Sequence, residues 1–165
     1  MLKLTGVIAI FTACTVIGLY FSKQLKRRVE IFRQTRLMID KIATLIKFRS
    51  YTVYELCDEI LRDGMLSEMS FVSFQRDEDK SFSALWEDSV LKWNVPIKKE
   101  ERDFYINLGN SLGTTDTEGQ ISSLSVFYKE AEKMLCTAEK DFNEKGKLCR
   151  ALGVLCGAFV SILLI

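Results

Sequence analysis

The chain has 165 residues, with 23 Lys plus Arg, 22 Asp plus Glu, no histidine and one proline, and 48 % of it is hydrophobic. That length suits one domain of ordinary size with one or two anchoring segments besides. Without histidine there is no Ser-His-Asp triad, no Cys-His nucleophile pair, no imidazole acid or base and no His metal ligand. A formal net charge of +1 gives no overall nucleic-acid footprint, and one proline with nine glycines speaks against a many-turned all-β chain.

The first element is an uncharged run, Leu4 to Phe21. Its eighteen residues span about 27 Å as a helix, close to the thickness of a bilayer core. Tyr20 and Phe21 lie where an interfacial aromatic belt falls, and Lys23, Lys26, Arg27 and Arg28 follow at once. A cleaved signal peptide has its positive charge before the apolar run and small residues after it. Here the order is reversed, so the segment reads as a retained anchor. Apolar residues then continue at helical spacing through Leu25, Val29, Phe32, Ile39, Ile42 and Ile46. The anchor is expected to run on as one helix to about Phe48. Its basic cluster reads first as a topology signal and solvated face, with anionic headgroups as the alternative contact.

Thr52 and Glu55 have capping-box spacing and open a short helix with Val53, Leu56, Cys57, Ile60 and Leu61 inward, stopped at Asp63-Gly64. Leu66 to Gln75 is apolar and reads as a further short helix or a strand. Asp77-Glu78-Asp79 reads as a solvated turn rather than a cation site. Ser81 or Ser83 caps the next helix, whose stripe is Phe82, Leu85, Trp86, Ser89, Val90 and Trp93, ended by Asn94-Val95-Pro96. A helix from about Ile97 to Leu112 follows, with Phe104, Leu108 and Leu112 inward. Gly113 then suits a left-handed cap, and Thr115 with Glu118 has capping-box spacing.

From Asp116 to Ile165 the apolar residues follow a seven-residue repeat. One position is Ile121, Tyr128, Leu135, Phe142, Cys149, Cys156 and Leu163; the other is Leu124, Ala131, Ala138, Lys145, Leu152 and Phe159. The seam crosses into the uncharged tail Ala151–Ile165, so one long helix is expected, antiparallel to the first. The tail spans about 22 Å and becomes adequate for a membrane if Leu148 and Cys149 join it. Gly153 and Gly157 make a GxxxG, and Ala9 and Ala13 share its spacing; both are candidate helix–helix contacts in the membrane. Five widely spaced cysteines, Cys14, Cys57, Cys136, Cys149 and Cys156, include no CxxC and read as small hydrophobes rather than a disulfide or metal framework.

The expectation is therefore an all-α, membrane-anchored helical bundle of about six helices. Residues 1–21 and 148–165 are the anchors and 22–147 the bundle. Nine Lys/Arg against Glu30 and Asp40 over Ser22–Ser50, and Lys140, Lys145, Lys147 and Arg150 before the tail, put the middle of the chain in the cytoplasm and both termini outside. No constellation of catalytic, cofactor-binding or metal-ligating residues stands out, so no enzyme is expected.

Four blocks carry a resemblance that spans the chain. They are Met1-Leu2-Lys3-Leu4 with its run ending in Gly18-Leu19-Tyr20-Phe21-Ser22-Lys23-Gln24-Leu25; the aromatic stretch Phe71 to Trp86; Leu108 to Gln120, where Gly, Asp and Gln meet at a helix junction; and Lys147 to Gly157. The chain resembles the stage III sporulation protein AB family of endospore-forming bacteria. It departs at Val53, where that family usually begins the short helix with proline.

The resemblance implies a membrane protein of the mother cell, in the transenvelope complex that joins mother cell and forespore. It implies a cytoplasmic domain similar to that of type II secretion and type IV pilus platform proteins. The implied partners are a stage III sporulation protein AA-like ATPase and other membrane components of the complex. No small-molecule substrate or nucleic acid is implied. The implied role is a platform or adaptor that couples the ATPase to the membrane machinery; a stand-alone membrane scaffold or regulator acting through helix–helix association is the alternative. Gly113, Asp116, Gly119 and Gln120 are the candidate partner interface, against the reading that this block only shapes its turn. The acid-rich stretch Glu55 to Asp88 is a second candidate face, for a basic partner.

Overall fold

The computed structural model describes residues 2–49, 51–77 and 79–164, and the side chains of all of these except 2–5, 7–10, 150 and 160–164. Five α-helices follow in chain order: α1 Leu2–Phe48, α2 Val53–Leu61, α3 Phe82–Lys92, α4 Lys99–Ser111 and α5 Thr117–Leu164. Two 3₁₀ turns, Gly64–Leu66 and Ser70–Val72, lie between α2 and α3, and no strand occurs among the described residues. α1 and α5 are thus each one unbroken helix, as the spacing of their apolar residues predicts. The expected anchors 1–21 and 148–165 fall in part outside the described side chains. Among the described residues no helix is long and apolar enough to cross a membrane.

The chain divides into two compact units, 1–29 with 136–165, and 30–135. In the second unit, α1 contributes a wide buried face: Ile31, Phe32, Thr35, Met38, Ile39, Ile42 and Ile46. The aromatic residues of α3, α4 and the second 3₁₀ turn fill the other side of this core. Trp86 and Tyr105 are fully buried, and the Phe71 ring lies 5.1 Å from Trp86, 4.7 Å from Trp93 and 5.6 Å from Tyr105. Aromatic groups bring polar atoms into a core, and these must be paired there. The Trp86 indole N–H donates to the Tyr105 carbonyl at 2.7 Å, and the Tyr105 hydroxyl meets the Thr35 hydroxyl at 2.6 Å. Burial pushes the Tyr105 phenol well above its usual pKa, so it stays neutral. Gly109 is required where it is: a Cβ there would fall 2.2 Å from the Trp86 ring.

Most capping expectations hold. Thr52 and Glu55 form the capping box, with the Glu55 carboxylate accepting from the Thr52 amide at 2.7 Å. Ser81, not Ser83, caps α3. Two elements differ. Leu66–Gln75 is neither one helix nor a strand: one 3₁₀ turn ends at Leu66 and a second spans Ser70–Val72, because side chains capture its backbone groups. The Gln34 amide oxygen accepts from the Glu68 N–H at 2.8 Å, the Trp93 indole donates to the Glu68 carbonyl at 3.1 Å, and the Ser89 hydroxyl donates to the Phe71 carbonyl. The fourth helix begins at Lys99 rather than Ile97, since the Glu101 carboxylate accepts from the Lys98 amide at 2.8 Å and fixes the cap there.

In the first unit α1 and α5 pair antiparallel, held by Arg28 and Asp141 at 3.1 Å, with Arg28 only 7 % exposed. The seven-residue seam does not continue here as expected. Gly146 and Gly157 are buried, while Lys145, Leu152, Cys156 and Phe159 face outward. A straight helix drifts by about 20° per heptad against a strict seven-residue repeat, so the inward face slips by one position.

Candidate functional site

The four residues of the candidate interface come together in one hydrogen-bonded turn between α4 and α5. Gly113 adopts φ +75°, the left-handed cap that glycine tolerates best. Its amide donates to the Gln120 side-chain oxygen at 3.1 Å, and the Gln120 NH₂ donates to the Thr115 carbonyl at 2.8 Å. Gln120 thereby straps the loop from the first turn of α5. The helix cap is Asp116, whose carboxylate accepts from the Gly119 amide at 3.2 Å. The expected Thr115–Glu118 box does not form: α5 starts one residue later, at Thr117, and Asp116 occupies the cap position. A Cβ on Gly119 would lie 2.8 Å from the Asp116 carboxylate, so glycine lets the cap close tightly.

The turn borders a cleft of about 230 Å³ lined by Ile46, Tyr51, Thr52, Val53, Leu56, Gly113, Thr117 and Gln120. Gly113 to Glu118 form an exposed ridge along it. Both ends of the Gln120 amide and the Asp116 carboxylate are occupied by local backbone partners. What the site presents outward is therefore a shaped rim of backbone, threonine hydroxyls and the Glu118 carboxylate, with no acid–base pair. Among the described residues no group of three His, Cys, Asp or Glu is placed to hold a metal ion. Cys57 is buried and its thiol is pushed up to about 12 by desolvation, which makes it a poor nucleophile.

The second candidate set, Gly153 and Gly157, lies on the α5 face that meets α1 within the first unit. A Cβ on Gly153 would sit 3.0 Å from the Cys14 carbonyl oxygen and 3.1 Å from Gly18 Cα; one on Gly157 would sit 3.0 Å from the Phe11 ring. Opposite them, a Cβ on Gly18 would fall 2.7 Å from the Cys149 carbonyl. The two backbones approach so closely that a side chain at Gly18 would clash, and Gly153 and Gly157 leave little room for one. Ala13 is exposed, and the Ala9 side chain lies outside the described residues. The small residues on α1 that make this seam are Gly18 and Ser22, which sequence reasoning missed. Their own small-xxx-small spacing, four apart, was the available signal.

The acid-rich stretch exposes Glu55, Asp58, Asp79, Glu87 and Asp88. Lys41 holds Asp63 at 2.9 Å and Lys92 holds Asp88 at 2.6 Å, and both carboxyls are kept below their usual pKa.

A family model described as Stage III sporulation protein AB matches residues 3–165. Stage III sporulation protein AB of Bacillus subtilis (strain 168) is 26 % identical over 170 residues, covering 99 % of this chain and 99 % of that protein. No solved structure matches the chain. The family's description names no reaction. With nearly its whole length matched, the chain belongs to the stage III sporulation protein AB family, and with that family it has a role in sporulation.

Proposed function

We propose that this protein is a non-enzymatic platform or adaptor, anchored in the mother-cell membrane that faces the forespore, with its middle in the mother-cell cytoplasm and both termini outside. It couples a stage III sporulation protein AA-like secretion-type ATPase to other membrane components of the transenvelope complex. The observation that carries the reading is the contrast in surface chemistry. In the first unit the α1–α5 pair turns Val16, Ile17, Leu19, Tyr20, Phe21, Leu152, Leu155 and Phe159 outward, while its contact face carries Gly18, Ser22, Gly146, Gly153 and Gly157. Lipid favours that arrangement and water opposes it. The exposed ridge Gly113–Glu118 beside the 230 Å³ cleft is the partner-facing rim, and the acid-rich face of α2 and α3 is the second.

The test is binding of the full chain in nanodiscs to the cognate ATPase. Association is expected, and it should weaken when Thr114, Thr115 and Thr117 are replaced by lysine while Asp116 and Gln120 are kept. Absence of binding at high micromolar concentration, with both proteins folded, overturns the coupling. A reporter fused near residue 80 should read as cytoplasmic; an outside signal overturns the orientation.

The alternative, a stand-alone scaffold associating through the GxxxG of its tail, is disfavoured by one observation. Gly153 and Gly157 already pack on α1 of the same chain. A glycine face used within the chain is not available to a second copy.

A further inference from the structure

The basic residues of the first unit come from two distant stretches of sequence that the fold brings to one level. A Cβ on Gly146 would sit 3.6 Å from the Ser22 hydroxyl, and Arg28 meets Asp141 at 3.1 Å. This antiparallel register sets Lys23 and Lys26 on α1 beside Lys140, Lys145 and Lys147 on α5, within about two helical turns. All five are exposed. The acids at this level are largely committed. Asp141 binds Arg28 and Lys145, at 3.1 and 2.5 Å, and Glu144 lies 4.0 Å from Lys140. Arg27 and Glu139 are exposed at this level as well, and Lys23, Lys26 and Lys147 are in no ion pair among the described residues. Directly next to them the surface changes from charged to apolar: Tyr20 is 58 % exposed, Phe21 56 % and Leu148 56 %.

We propose that this two-helix belt is a binding surface for anionic phospholipid headgroups, with Lys23, Lys26 and Lys147 as its principal contacts. The inference rests on the anchoring reading above and names the lipid that reading leaves open. The geometry supplies both parts of such a site. Ammonium groups lie at one height around a helix pair, and amphipathic aromatic side chains sit one step toward the apolar region. Lysine attraction to an anionic surface falls off within a Debye length, so the belt must lie at the headgroups to act, and the Tyr20–Phe21 boundary puts it there.

The experiment uses the full chain with vesicles of phosphatidylcholine alone and of phosphatidylcholine mixed with phosphatidylglycerol. Flotation is read first, then the preference of the bound protein for spin-labelled phosphatidylglycerol over spin-labelled phosphatidylcholine. Flotation is expected with both. The preference is expected to be about fivefold at low salt and to approach one in 0.5 M salt, on the order of what headgroup attraction and screening allow. The triple variant Lys23→Gln, Lys26→Gln and Lys147→Gln should float equally but lose the preference, and the same positions changed to arginine should keep it. Flotation without a preference, or a preference that survives the glutamine variant, overturns the belt alone. No flotation with either composition overturns the anchoring reading and the belt together. Helical circular dichroism of each variant separates a lost headgroup contact from a lost fold.

Discussion

The two units of this chain are built on opposite plans from the same two helices. In the second unit, 30–135, bulky apolar and aromatic side chains are inside, and lysine, glutamate and aspartate line the surface. In the first unit, 1–29 with 136–165, the contact face carries Gly18, Ser22, Gly146, Gly153 and Gly157, while Val16, Ile17, Leu19, Tyr20, Phe21, Leu152, Leu155 and Phe159 point away from it. Hydrophobic burial is the driving force for the first plan. On the anchored reading proposed above it cannot drive the second, where close backbone packing replaces it. One helical pattern therefore needs two physical accounts.

The largest test of this contrast is in the aromatic core. Trp86→Ala empties a fully buried site and removes the indole bond to the Tyr105 carbonyl, and should cost about 4 kcal/mol by urea unfolding followed through Trp93 fluorescence. A loss below about 1 kcal/mol would mean that the second unit is not held by this core.

In the first unit a larger residue, not a smaller one, should do the harm. Gly18→Leu drives a side chain into the Cys149 carbonyl and should weaken the helix pair by about 2 kcal/mol in detergent unfolding. Gly6→Leu, with nothing within 4 Å, is the control and should have no effect. Equal effects at both positions would break the distinction between the units.

Caps come next. Asp116→Ala removes the α5 cap and should cost about 1 kcal/mol in thermal unfolding, with Asp116→Asn largely restoring it.

Smaller still is the Lys41–Asp63 pair, whose side chains are 26 % and 29 % exposed. The Lys41 ammonium and the Met65 amide hold the Asp63 carboxyl below its usual pKa. A depressed carboxyl adds stability above its unfolded pKa of 3.8, and that stability is lost as the pH falls through the lower folded value. Asp63→Asn should thus lower stability slightly at pH 7, by less than about 1 kcal/mol after solvent screening and read as a small drop in melting temperature, and the gap should narrow as the pH falls below 3.8. A gap that is unchanged in acid would assign the effect to something other than charge. Maleimide at pH 8 should label exposed Cys136 and spare buried Cys57.

Much of the second unit was legible in the sequence. The stripe Phe32, Ile39, Ile42 and Ile46, the Thr52–Glu55 box and the Trp86–Val90–Trp93 face all follow from local spacing, and local spacing is what a helix reads. The miss at 66–75 has one cause. Gln34, Ser89 and Trp93 reach from other elements to capture the backbone of 66–75, and no window along the chain contains that competition. At the α4–α5 junction the residues were identifiable but the cap was misplaced by one position. Thr115 and Asp116 are both good caps, and only the strap from Gln120 to Gly113 settles which one starts the helix.

The sequence by itself determined that this protein is helical, that its first and last helices are long, and that its basic and acidic residues are segregated. Each of these is a property of composition or of spacing along one helix. Only the tertiary structure decided which face of α5 meets α1 in the first unit. A seven-residue count points Lys145, Leu152 and Cys156 inward, yet the real helix advances 3.6 residues per turn and brings Gly146, Gly153 and Gly157 there instead. That slip of one residue is a matter of how closely two backbones approach, and it appears only when both helices are in place.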